Sequence, residues 1–180
     1  PPYQRDERLR RPWAIPGTPG LQHRIGGLEK QHETGAISYD PQNHEFMTRL
    51  REERIARITN DIPELAVDDP DGADLLVLGW GSTYGAIQGA VRKLRRERRV
   101  KVAAAHLTHL NPLPANTGEV LRRYRRVLVP ELNRGQLARL LRAEYLVDVE
   151  SFSKVTGLPM FTADIVEQIE LRVERARRAA

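Results

Sequence analysis

The residues able to bind or react gather in four short segments of this 180-residue sequence: 79–85 (GWGSTYG), 109–112 (HLNP), 131–136 (ELNRGQ) and 153–157 (SKVTG). Glycine-rich turns let backbone amides approach a phosphate at a helix N-terminus, where the helix dipole favours an anion. The first segment has that composition, but its spacing is G-x-G-x-x-x-G rather than the G-x-G-x-x-G of dinucleotide sites. The following apolar run, 100–107, also ends without the acidic residue that would hold a ribose hydroxyl. Two readings stay open: a nucleotide-binding loop, or a tight strand-to-helix turn with Ser82 or Thr83 capping the helix. His106 and His109 have the proximity of a metal pair, yet no neighbouring Cys, Asp or Glu completes a ligand set. If both are extended, strand alternation sends them to opposite faces, and a structural or interface role fits better. Glu131, just past a buried strand, either caps a helix, forms an interface ion pair or acts in catalysis. No nucleophile–base–orienter set is present. Cysteine is absent, which excludes disulfides, thiol catalysis and any cysteine-held zinc or iron–sulfur cluster in this sequence.

Those segments need a scaffold, and the hydrophobic rhythm supplies one. Residues 1–45 hold half of the prolines, six of 12, along with Gly17, Gly20, Gly26, Gly27 and Gly35. This composition predicts an irregular arm. A helical pattern from His44 to Ile58 places Phe46, Met47, Leu50, Ile55 and Ile58 roughly on one face, and 60–72 reads as a connector with a short strand at 64–67. From there strands and helices alternate. Strands are expected at 74–78, 100–107, 126–129 and 147–151. Helices are expected at about 85–99, 116–124 and 135–145, with a last one opened by Thr162. Asn116 with Glu119 has the form of a capping box. Four strand–helix units predict an α/β domain, a parallel sheet covered on both faces, with 64–67 free to add an antiparallel edge. The four polar segments then fall together at the carboxyl ends of the strands, where such sheets bind ligands.

The formal charge is +5, but the basic residues interleave with acidic ones. The dense run 92–99 follows the stripe Ala86, Ile87, Ala90, Val91 and Leu94, so it occupies the outer face and C-terminal end of a helix. A solvated face or a subunit contact is the expectation, not nucleic acid. No apolar run approaches the roughly 20 residues of a membrane span, and no signal peptide opens the sequence, so a cytoplasmic protein is expected. The start at Pro1-Pro2-Tyr3 reads as part of a longer polypeptide.

Several longer motifs resemble a known family. PWAIPGTPG at 12–20 and RIGGLEKQHETGAISYDPQNHEFMTRLREERIARI at 24–58 are similar to the α subunit of 2-oxoglutarate (2-oxoacid):ferredoxin oxidoreductases, as are LLVLGWGSTYGAI at 75–87, HLNPLP at 109–114 and VLVPELNRGQLARLLRAEYL at 127–146. The resemblance implies that 1–45 is the tail of a pyrimidine-binding domain and 46–72 a helix and linker. It implies that 73–180 is a Rossmann-like three-layer domain resembling the C-terminal domain of transketolase. It also implies CoA-dependent oxidative decarboxylation of 2-oxoglutarate to succinyl-CoA with reduction of ferredoxin. The cofactors would be thiamine diphosphate, magnesium and a 4Fe-4S cluster, mostly bound outside this chain, and the partners the β subunit, the remainder of the α subunit and ferredoxin. The chain alone is expected to be inactive, an accessory and assembly domain. The candidate positions on the loop edge are Ser82, Thr83, His109, Asn111, Glu131, Asn133 and Gln136. At Lys30 the sequence departs from the family, many of whose members carry His after the preceding Glu; if that position touches substrate or partner, 2-oxoacid preference changes with it. The competing classes are a nucleotide- or CoA-binding module without catalysis of its own, and a purely structural domain.

Overall fold

A computed structural model describes residues 1–179, which form two compact units, the first Pro1–Ile62 and the second from Pro63 onward. The arm of the first unit has no long element, as its prolines dictate, and side chains hold it together. Asn43 donates from Nδ2 to the Lys30 carbonyl at 2.8 Å and accepts from the His32 amide at 3.0 Å, beside an isolated antiparallel bridge between Lys30 and Ile37. Arg5 donates to the carbonyls of Tyr3 and His32.

Helix α1 (Pro41–Ala56) starts from Asp40, whose side chain accepts from the Gln42 amide, with Pro41 at a position that needs no N–H. A 3-10 turn, Arg57–Asp61, follows. The apolar face expected for this helix is corrected. Its buried residues are Asn43 and Met47, whereas Phe46, Ile55 and Ile58 remain 47%, 41% and 39% exposed. The apolar positions spread over half the helix circumference, and the inward side is centred on Asn43, Met47 and Leu50.

The sheet of the second unit comprises β1 (Val67–Asp68), β2 (Leu75–Trp80), β3 (Val102–Leu107), β4 (Arg126–Glu131) and β5 (Val149–Ser153), in the order β1-β3-β2-β4-β5. All neighbours pair in parallel except β1, which joins β3 antiparallel through Val67–Ala105 and Asp68–Ala104. The antiparallel edge exists, but a few residues later than 64–67. The earlier position is taken because Leu65 is buried and its backbone is held at both N–H and C=O by the Asn116 side chain. That contact also corrects the capping box. Asn116 makes no cap bond to α3 (Thr117–Arg122), Thr117 bonds back to the Pro114 carbonyl, and Glu119 pairs with Arg123.

Alternation along the strands builds two cores. Leu76, Leu78, Ala103, Ala105, Val127 and Val129 face α3 and α4 (Gln136–Tyr145) on one side. Leu75, Val77, Val102, Ala104 and Leu128 face α2 (Tyr84–Arg98) and α5 (Thr162–Ala179) on the other. The result is the expected three-layer α/β domain. Strand runs buried on both faces are continuous in hydrophobicity, which made them legible. Within the basic run, Arg95 is not a solvated residue: it donates to the Val102 carbonyl and to the backbone and carboxylate of Asp68, clamping the two-residue edge strand. At α5 the cap expected of Thr162 belongs to Asp164, whose Oδ2 accepts from the Phe161 amide at 2.9 Å and from Lys154 Nζ at 2.6 Å. The Lys154 bond holds the Asp164 carboxyl below the usual range.

Gly79 lies where α2 meets the sheet. A Cβ there would sit 2.4 Å from Ile87 Cδ1 and 2.9 Å from Thr83 Oγ1. Gly79→Ala should therefore destabilise the second unit by about 1–3 kcal/mol, as overpacking does, and urea unfolding measures this.

In the first unit, the Arg51 guanidinium, with help from His44 and the Lys30 amide, draws the Glu29 carboxyl from 4.5 to about 2. A carboxyl depressed on folding contributes stability that is complete above its unfolded pKa and is lost as pH falls through its folded one. Protection of the His32 amide from hydrogen exchange should therefore decline between pH 4.5 and about 2. In Glu29→Gln that acid-dependent loss should shrink, from a lower starting protection at neutral pH.

Candidate functional site

At their amino ends β2 and β4 are in register, Leu75 with Arg126 through Val77 with Leu128, and there the pairing stops. The other partners continue, β2 with β3 as far as Trp80 and Leu107, and β4 with β5 as far as Glu131 and Ser153. The two central strands part at their carboxyl ends, where Pro130 has no N–H to offer either neighbour. Their helices then leave to opposite faces of the sheet. This is the switch point at which open α/β sheets form a crevice.

The crevice has a volume of about 320 Å³ and is lined by Trp80, Gly81, Ser82, Thr83, Leu132, Asn133 and Gln136. It thus brings together four of the residues singled out from sequence: Ser82, Thr83, Asn133 and Gln136. Glu131 adjoins Leu132 in the chain and is fully buried. His109 and Asn111 do not line the crevice. They are exposed beyond β3, with Thr108 Oγ1 3.0 Å from His109 Nδ1 and a cis peptide between Asn111 and Pro112. Because β3 ends at Leu107, the strand alternation invoked for His106 and His109 does not extend to His109. His106 is half-buried, edge-on to Tyr84 with centroids 5.0 Å apart, and burial lowers its pKa. Trp80 and Leu132 were not singled out from sequence; a bulky apolar residue directly after a buried strand was the available signal.

The electrostatics of the crevice are set by Glu131. Its Oε1 accepts from the Leu137 amide at 2.9 Å and its Oε2 from the Ala138 amide at 3.1 Å, both in the first turn of α4. Asn133 Oδ1 accepts from the Gln136 amide at 2.9 Å, and the Arg139 amide bonds to the Gly135 carbonyl at 3.2 Å. The four leading donors of α4 are all occupied. Gly135 makes the turn possible at φ 77°, with room for no Cβ beside Ser151. On the β2 side, the Thr83 hydroxyl does not cap α2. It accepts from the Trp80 amide at 3.2 Å and donates to the Trp80 carbonyl at 2.8 Å. The crevice therefore offers the Ser82 hydroxyl, the Asn133 and Gln136 side-chain amides and the Trp80 indole N–H beside the apolar Leu132, but no carboxylate or cation lines it. It can bind or dock by hydrogen bonding and packing; it holds no acid–base pair. On the α4 side a diphosphate would find the amides already bonded and a carboxylate beneath them, so that helix start does not fit one. Among the described residues, no three His, Cys, Asp or Glu side chains converge as a metal site requires.

No family model matches the sequence. The 2-oxoglutarate oxidoreductase subunit KorA of Mycobacterium tuberculosis (strain ATCC 25618 / H37Rv) is 58% identical over 166 residues, covering 91% of this chain. Over that span the chain is similar to that 2-oxoglutarate oxidoreductase subunit. It spans 25% of the length of that relative. A solved 2-oxoglutarate:ferredoxin oxidoreductase from Magnetococcus marinus, with 2-oxoglutarate, coenzyme A and succinyl-CoA bound, superposes with a TM-score of 0.84 at 34% identity. The match covers 93% of this chain and 30% of that one.

The role of Glu131 is separable from that of the crevice surface. Glu131→Gln places an NH2 group against one α4 amide and should cost about 1–3 kcal/mol, the penalty of a buried unsatisfied donor. Ser82→Ala should stay within about 0.5 kcal/mol. Thermal melts of the two variants give the comparison.

Proposed function

We propose that this chain is the C-terminal portion of the α subunit of a CoA-dependent 2-oxoglutarate:ferredoxin oxidoreductase, and that it acts in the cytoplasm. In this reading 1–45 is the tail of a pyrimidine-binding domain, 46–72 a helix and linker, and 73–180 the transketolase C-terminal-like domain. The complete complex decarboxylates 2-oxoglutarate, passes two electrons through a 4Fe-4S cluster to ferredoxin and transfers the succinyl group to CoA. The identity to KorA over nearly the whole chain carries this reading. In this reading thiamine diphosphate, magnesium and the cluster are bound mostly outside this chain, which has no cysteine and whose α4 amides beside the crevice are already bonded to Glu131. The protein contribution to cofactor chemistry is positioning. Here that falls to the crevice: Ser82, Asn133 and Gln136, beside Trp80 and Leu132, suit docking of the β subunit or of the rest of the α subunit.

The competing module would bind a nucleotide or CoA through the glycine loop 79–85, which leads into α2; the bonded α4 amides leave it no second helix start in the crevice. The test is assembly. The complete α subunit carrying this segment, purified with its β partner, should reduce ferredoxin when given 2-oxoglutarate and CoA, and the isolated chain should not. An assembled complex that reduces ferredoxin with no 2-oxoacid refutes the reading.

A further inference from the structure

The first unit carries a second and larger cavity, of about 730 Å³, between the arm and α1. That volume lies within the range of small-molecule sites, roughly 300–1,000 Å³. Five cationic side chains line it: Arg5, Arg11, Lys30, Arg51 and Arg54. One carboxylate does, that of Glu29, and it is already engaged, both oxygens meeting the Arg51 guanidinium at 3.1 Å and Oε2 lying 2.8 Å from His44 Nδ1. Arg11 stacks over the Tyr3 ring at 4.0 Å and has no carboxylate partner among the described residues; neither has Arg54. Lys30 decides the matter. The residue is only 4% exposed, and its Nζ is buried without a hydrogen-bond acceptor. An ammonium group removed from water is costly unless it is paired, and nothing in the described residues pairs this one. Arg5 registers the same excess: burial, and then the neighbouring Arg11, Arg54 and Arg51 charges, lower its pKa.

We propose that this cavity is a binding site for a small polyanion, a molecule carrying two or more phosphate or carboxylate groups, with Lys30 as the buried anchor and Arg54 and Arg11 as the rim. Arg51 is held in place by Glu29 and frames the site rather than closing on the ligand. The proposal is independent of the oxidoreductase reading, because it concerns binding to the first unit and not turnover.

Calorimetric titration of the full chain, with sodium pyrophosphate and separately with 2-oxoglutarate, tests it. Saturable one-to-one binding of pyrophosphate alone identifies a phosphate-bearing ligand, of 2-oxoglutarate alone a dicarboxylate, and of both a site selective for charge only; each supports the proposal. Lys30→Met should weaken that binding at least about tenfold, the worth of one lost charge-assisted bond. The same change should raise the melting temperature of the ligand-free chain, because it removes an unpaired buried charge. Arg54→Gln should weaken binding without moving the melting temperature. No heat from either probe at millimolar concentration, or binding that survives Lys30→Met unchanged, overturns the proposal. So does a lower melting temperature in Lys30→Met, which would mean that the ammonium group is satisfied without a ligand.

Discussion

The second unit turns on one buried charge. Glu131 is fully enclosed at the end of the central strand β4, and a carboxylate in that position is tolerable only if both oxygens are bonded. They are, to the Leu137 and Ala138 amides, at the end of α4 where the helix dipole also favours negative charge. The bond therefore does two things at once. It discharges the donors that a helix start leaves unpaired, and it fixes α4 against the strand that precedes it. The left-handed turn at Gly135 and the Asn133 side chain complete the junction. With α4 set in this way, Leu137, Ala138 and Leu141 are committed to the core, and Gln136 and Asn133 to the crevice.

The crevice follows from that junction and from the way the sheet is tied elsewhere. Its β1 edge is secured by side chains rather than by a long ladder. Arg95 clamps β1 to β3, and Asn116 clasps the Leu65 backbone just before β1. The centre is secured by close packing, with Gly79 admitting Ile87 and Thr83 against β2. Only between the carboxyl ends of β2 and β4 is there no further pairing. An opening at that point costs little, because the ladders with β3 and β5 continue beyond it.

The fold was legible because the signals for it are local. Leu75–Trp80 and Val102–Leu107 are buried on both faces, so their sequences are apolar apart from His106, and a glycine turn marks the end of the first. Element ends were less legible. The last strand extends to Ser153, two residues past the apolar segment, because the Lys154 amide still bonds to the Glu131 carbonyl and prolongs the strand path. Asn116 shows a different limit. Asn with Glu three residues on is a sound cap signal, but a polar side chain can serve only one partner set, and a backbone segment 51 residues away claimed it. Sequence spacing carries no information about such a competitor. At the crevice the fold brings Ser82, Thr83, Asn133 and Gln136 together, positions marked by family resemblance. Neither composition nor resemblance could show that the α4 amides there were already bonded, which limits the ligands that side can take.

Two buried charges, Glu131 and Lys30, thus have opposite standing in the two units. Glu131 has every bond its burial demands, so its site is finished and its chemistry is spent on holding the fold. Lys30 has none for its Nζ, although its backbone is bridged to Ile37 and bonded to Asn43. A charge that is complete within the chain explains architecture. One that the chain leaves unpaired in a basic cavity is what the proposed anion would satisfy.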